Sequence, residues 1–196
     1  MRPSSVKALL LAAGAVVVAL APPALSGQAV KERFTGFAIN MNSGPRTAVI
    51  DFTIERWSTD TERDQLLEIL QTEKDVHRAN ERLLTALQKL PKVGYIRTPE
   101  RLAWDLRYAR QSPLEDGGRR IVLGTDRPIG FAEARNQPRT IDYPFTVVEV
   151  QLDKNDRGVG KILAGTKLYI DKKTNSLVLE NYGQQPIRFN EIRRVK

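Results

Sequence analysis

The chain has no cysteine and only one histidine. The first absence excludes a disulfide framework, a cysteine nucleophile and a lipid anchor attached through cysteine. An exported domain built this way rests on its hydrophobic core alone. The near-absence of histidine weakens metal and triad chemistry together, because zinc sites and activated serines both lean on that residue. Aromatic residues are sparse too, at 7%. There is no G-x-S-x-G elbow, no phosphate loop and no G-x-G-x-x-G fingerprint. GVGKILAG (158–165) is dotted with glycine, but it reads as a strand and lacks the helix a phosphate loop requires. Beyond residue 20 no run is apolar enough to span a bilayer, which takes about 20 residues.

What is present starts at the amino terminus. Arg2 and Lys7 precede ALLLAAGAVVVAL (8–20), and APPALSGQA follows, broken by Pro22 and Pro23. A basic start, a short apolar run and a small-residue cut site describe a secretory signal peptide over residues 1–29, cleaved after Ser26 or Ala29. A membrane anchor is the competing reading, and the apolar run is too short for it. The expectation is an exported protein, periplasmic or extracellular, with no transmembrane segment once the leader is removed. Its remaining residues, 30–196, suffice for a single β-rich globular domain with a real core.

The formal charge is +8, and loss of Arg2 and Lys7 leaves about +6. Arginine supplies 20 of the 31 basic residues. Its planar fork suits carboxylates, phosphates and rings better than lysine does. The basic balance favours acidic partners or an anionic envelope surface. Nucleic acid is not implied, because the cations are interspersed with acids and no basic run exceeds two residues.

Hydrophobic periodicity gives the architecture. RFTGFAINM (33–41) and RTAVIDFTIERW (46–57) flank the turn signal NSGP and read as a hairpin, with Ala48, Ile50, Phe52 and Ile54 on one face. In STDTERDQLLEILQ (58–71) Thr59 and Glu62 form a capping box at a helix start. A second helix is expected over 72–90, stopped by Pro91, which completes a helical hairpin at about 59–90. VGYIR (93–97), LAWDLRYARQ (102–111), RRIVLGT (119–125), FTVVEVQLD (145–153), GVGKILAGTKLYID (158–171), SLVLENYG (176–183) and PIRFNEIRRV (186–195) read as strands. In the second of these Trp104, Leu106, Tyr108 and Arg110 are expected to share a face. The fold class is α+β: about eight to nine mainly antiparallel strands, with the helical hairpin inserted after the second. A barrel or strongly curled sheet is favoured because closure removes exposed edges, and a sandwich is the alternative. VVEV and KILAG are apolar on both faces, as expected where a sheet is covered twice.

Candidate chemistry is thin. His77 lies four residues from Glu73 and from Glu81, a spacing that would put a one-histidine, two-carboxylate set on one helical face. A solvated face laced with ion pairs is the plainer reading, and no metal or other cofactor is implied. Asp105, Asp126, Glu133 and Asp142 could supply paired carboxylates for acid–base work. Each also has an arginine nearby in sequence, Asp126 with Arg127 and Asp142 with Arg139 among them, so charge pairing explains them without catalysis. No catalytic residue is assigned. Trp57, Trp104, Tyr108, Phe145 and the other aromatics are expected mainly in the core.

The longest irregular stretch is TDRPIGFAEARNQPRTIDYPFTV (125–147), far longer than the usual 4–6 residue connection. Pro128, Pro138 and Pro144 stiffen it, and it is rich in arginine. It carries the ligand-binding candidates Arg127, Arg135, Arg139 and Tyr143, to which Arg107 is added from the strand before it. The phrases RWSTDTERDQLLEIL, LRYARQ, DGGRRIVLGTDRPIGF and RTIDYPFTVVEV resemble a group of uncharacterised exported bacterial proteins of similar length. That resemblance implies an exported globular domain of bacterial origin and brings no activity with it. Three functions follow, in descending order. The first is a non-enzymatic module binding a small anionic or amphipathic ligand. The second is a structural or protein-interaction component of the envelope, with an envelope protein as partner. The third is a carboxylate-dependent hydrolase or isomerase.

Overall fold

The computed structural model describes residues 29–40, 46–98, 103–127, 145–164, 166–171, 176–181 and 187–195. In chain order the elements are β1 (Ala29–Asn40), β2 (Arg46–Arg56), α1 (Asp60–Thr72), α2 (Val76–Lys89), β3 (Gly94–Arg97), β4 (Trp104–Pro113) and β5 (Arg119–Thr125). There follow β6 (Thr146–Leu152), β7 (Arg157–Ala164), β8 (Thr166–Asp171), β9 (Ser176–Asn181) and β10 (Ile187–Val195). Eight strands close into an antiparallel barrel in the order β1-β10-β7-β6-β5-β4-β3-β2, while β8 and β9 pair apart as a two-stranded sheet. Sequence neighbours are spatial neighbours everywhere except at β7 and β10, where the β8–β9 hairpin is inserted. Closure is made by the first strand on the last, with Arg33 opposite Val195 and Ile39 opposite Arg188.

Alternation fixes what faces inward. Along β1 Phe34 and Ala38 are buried, and along β2 so are Ile50, Phe52 and Ile54. They meet Ile96, Leu106, Ala109, Ile121, Leu123, Val148, Val150, Ile162, Phe189 and Ile192 in one interior cluster. Phe34 stacks on Phe52 with ring centroids 4.8 Å apart, and Phe52 meets Phe189 at 6.1 Å. An eight-stranded barrel is just wide enough for side chains to fill it, and these do. Arg33, Arg157, Lys161, Arg188 and Arg193 stand exposed on the outer face, the reverse of a lipid-spanning barrel with its outer apolar band. No helix among the described residues is long and apolar enough to cross a membrane.

The helices form because the apolar period changes from two to 3.6 after Trp57. Thr59 caps α1, taking the Glu62 N–H at 3.2 Å, while the Glu62 carboxylate takes the Thr59 N–H at 2.8 Å. The expected second helix starts later than the sequence suggests. Asp75 is its N-cap and accepts the Arg78 N–H at 3.0 Å, which leaves Glu73 as the C-cap of α1. Ile69, Leu70, Leu83, Ala86 and Leu87 then pack with Phe145, Val147 and Leu163 in a second cluster. Tyr108 and Val122 join it. These strand residues point outward, so the helical hairpin covers the outer face of β4–β7. That double coverage accounts for VVEV, where Val147 belongs to the outer cluster and Val148 to the inner.

Two strand readings are corrected. The pairing of β4 with β5 slips between Leu106 and Tyr108. A one-residue slip exchanges the faces of everything beyond it. Leu106 therefore packs inside and Tyr108 outside, and Trp104, Leu106, Tyr108 and Arg110 do not share a face. The stretch 158–171, read as one strand, is two: β7 stays in the barrel and β8 leaves to pair with β9.

Candidate functional site

The barrel has two ends. One is formed by the start of β1, the end of β2 and the turns β4–β5 and β6–β7; the other, by the end of β5 and the start of β6, receives the long connection.

At the connection end, the bulge in β4 places Arg107 beside the carboxyl end of α2. Its Nη1 donates to the Leu90 carbonyl at 3.4 Å, the position where a cation best meets the free carbonyls of a helix end. Its Nε donates to Asp126 at 3.1 Å, and Asp105 lies 3.6 Å from Nη2. Arg107 is thus a brace joining α2, β4 and β5. Thr125 beside it is fully buried and gathers both roots of the connection. Its hydroxyl donates to the Arg127 carbonyl and accepts the Thr146 N–H at 3.3 Å.

The pairing of Asp126 with Arg127 is overturned by this geometry. Asp126 belongs to Arg107, and Arg127 stands exposed with no ion pair among the described residues. Neighbours in an extended chain point to opposite sides, whereas Arg107 lies across the sheet. Arg135, Arg139 and Tyr143 lie outside the described residues, as do Glu133 and Asp142. Of the five candidates, then, Arg107 and Arg127 are described, and of these Arg107 pairs with Asp126.

Catalytic and metal constellations gain little. Asp126 is held by Arg107, and Asp105 lies 3.1 Å from Lys92 and 3.6 Å from Arg107. His77, Glu73 and Glu81 do not share a helical face, because Glu73 precedes α2 and lies 3.4 Å from Arg82. Among the described residues no group of three or more histidines and acids could hold a metal ion.

The opposite end is closed by a polar network that sequence reasoning missed. Arg119 reaches Glu32 at 2.7 Å, Asp156 at 2.6 Å and Gln111 at 2.9 Å, and its guanidinium lies 5.6 Å from the Phe34 ring. Burial opposes its charge, but the bonds to Glu32 and Asp156 outweigh burial and raise its proton affinity above the ordinary arginine value. Asp156, at positive φ in the β6–β7 turn, also meets Arg194 at 3.2 Å. This is an end plug, with its charges mutually spent.

Sequence reasoning also missed the outer face of β2, β1, β10 and the first part of β7, which the helical cluster does not reach among the described residues. There Arg193 stands opposite Arg157, and Arg188 opposite Lys161. Phe37, Val49 and Val159 are exposed on the same face, at 39%, 36% and 56%. The register between β7 and β10 decides this, and an inserted hairpin hides it from the sequence.

The chain matches no family model, no curated protein and no solved structure.

Proposed function

We propose that the protein is exported, loses its leader after Ser26 or Ala29, and serves as a non-enzymatic binding domain for a small anionic or amphipathic ligand. The ligand would be taken at the rim where Arg127 stands and where the 128–144 connection leaves and returns. The observation that supports this is the assignment of Asp126 to Arg107, which leaves the Arg127 guanidinium exposed at a root fixed by Thr125. An exposed guanidinium on an anchored backbone, not consumed by a carboxylate, is suited to a carboxylate or phosphate. The filled interior supports a site at the rim over one inside the barrel.

The test uses inorganic phosphate and decanoate as probes in calorimetry and thermal-shift measurements. The chain should bind one of them, and Arg127→Gln should weaken that binding by roughly ten- to a hundredfold, the worth of one charge-assisted hydrogen bond. Absence of binding, or equal binding by the variant, would refute the reading. Amino-terminal sequencing of the protein recovered from the periplasm should begin at Gly27 or Val30; recovery of the intact leader in the cytoplasm would refute export.

A further inference from the structure

We propose that the outer face of β1, β10 and the first part of β7 docks on an anionic lipid surface. Two pairs of like charges stand directly across the β7–β10 ladder, Arg157 with Arg193 and Lys161 with Arg188. Like charges in that position destabilise a sheet. None of the three arginines has an ion pair among the described residues, and Arg33 on β1 is similarly placed opposite Val195. Of the neighbouring acids, Asp51 lies 3.4 Å from Arg97, and Glu149, opposite Lys161 across the β6–β7 ladder, lies 3.0 Å from Arg120. Asp153 lies beside Arg157, and with Glu191 and Glu55 it leaves the region's acids outnumbered by Arg33, Arg157, Lys161, Arg188 and Arg193.

Between the two cationic pairs stand single exposed apolar side chains, Phe37 on β1 and Val159 on β7, separated by Asn190 and Glu191 on β10. Phe37 is opposite Val49, and on the other side of Phe37 comes Asn190. Val159 lies on β7 between Arg157 and Lys161, more than half exposed. Among the described residues the helical cluster reaches β7 only at Leu163, beyond Lys161.

Charge and shape together select the occupant. A second copy would bring cations against cations. The buried centre of a protein interface is depleted of charge, whereas here Arg157 and Lys161 flank Val159, the most exposed of the apolar residues. Single apolar side chains on a convex, cationic surface fit the boundary between lipid headgroups and acyl chains. Each cation near such a surface strengthens binding about fivefold.

The experiment takes the chain from Gly27 on, the form left by a cut after Ser26, which retains every described element and omits the apolar leader. It should co-sediment with phosphatidylcholine vesicles containing about one third phosphatidylglycerol, weaken sharply in about 1 M salt, and ignore pure phosphatidylcholine. Arg157→Gln with Arg193→Gln should lower the partition coefficient about thirtyfold. Relief of the like-charge contact means that this variant should unfold at no lower temperature than the parent, which separates lost docking from lost folding. Val159→Ser should lower partition about five- to tenfold through lost apolar insertion. Arg127→Gln should leave it unchanged, so failure here is distinguishable from failure of the rim site. Equal partition to neutral and anionic vesicles would overturn the proposal, as would unchanged partition of the double variant. Self-association abolished by Val159→Ser in the absence of lipid would overturn it in favour of a second copy. Binding to polyglutamate but not to vesicles would overturn it in favour of an acidic protein.

Discussion

Glu62 makes contacts of two kinds at one helix start. It closes the capping box with Thr59, and it accepts a fork from Arg56, with Nη2 at 2.8 Å and Nη1 at 3.1 Å. The Arg56 hydrogen bonds, joined by the Thr59 N–H, outweigh burial and hold its carboxyl below the usual range. A carboxylate whose folded pKa is depressed stabilises the fold above its unfolded pKa, and that contribution disappears as pH falls through the folded value. Glu62→Gln should therefore cost about 1–2 kcal/mol near neutral pH, since a charged fork and part of a cap are lost. In urea titrations the gap between variant and parent should narrow as the pH drops below about 4.5. A gap that is flat or widens in acid would contradict this account. The capping box was legible because its spacing is local. The partner of Asp126 was not, because an arginine across a bulged ladder competes better than the arginine next in sequence.

The elements show the same division between local and distant signals. The hairpin of β1 and β2, the run of β5 and both helices were readable, since each declares itself through a period or a cap. The bulge in β4 and the departure of β8 were not, since they depend on which strands become neighbours. Docking of the helices is equally a property of distant partners. Leu83 is buried against a cluster that includes Phe145, Val147 and Leu163. Leu83→Ala should cost about 2–4 kcal/mol, and amide exchange should accelerate in α1 and α2 more than in β1 and β2. Uniform acceleration would show instead that the helices and barrel open as one unit. Glycine at 94 is a second element-scale requirement. A Cβ there would overlap the Thr53 carbonyl in the adjacent strand. Gly94→Ala should therefore destabilise by about 2–3 kcal/mol despite the small added volume, measured as a drop in the urea midpoint. An unchanged midpoint would mean that β3 can withdraw from β2 at little cost.

At the scale of the whole molecule, the barrel is closed sideways by β1 on β10 and capped at one end by Arg119. That guanidinium touches β1 through Glu32, β4 through Gln111 and the β6–β7 turn through Asp156, so it reaches across the barrel mouth. Its two acids differ in what remains if it is removed. Asp156 keeps Arg194, whereas Glu32, with a side chain only 8% exposed, has no other ion pair among the described residues. Arg119→Met preserves most of the volume but strands the Glu32 charge, and breaking such a pair on one side costs about 3–5 kcal/mol. The companion change Glu32→Gln removes the stranded charge. The variant with both substitutions should thus be more stable than Arg119→Met alone, the reverse of what independent losses would give. Urea unfolding of the parent, both single variants and the double variant measures the coupling directly. If adding Glu32→Gln lowered the stability of Arg119→Met further, the plug would be held by Gln111, Asp156 and the Phe34 ring, and Glu32 would be a bystander at the rim.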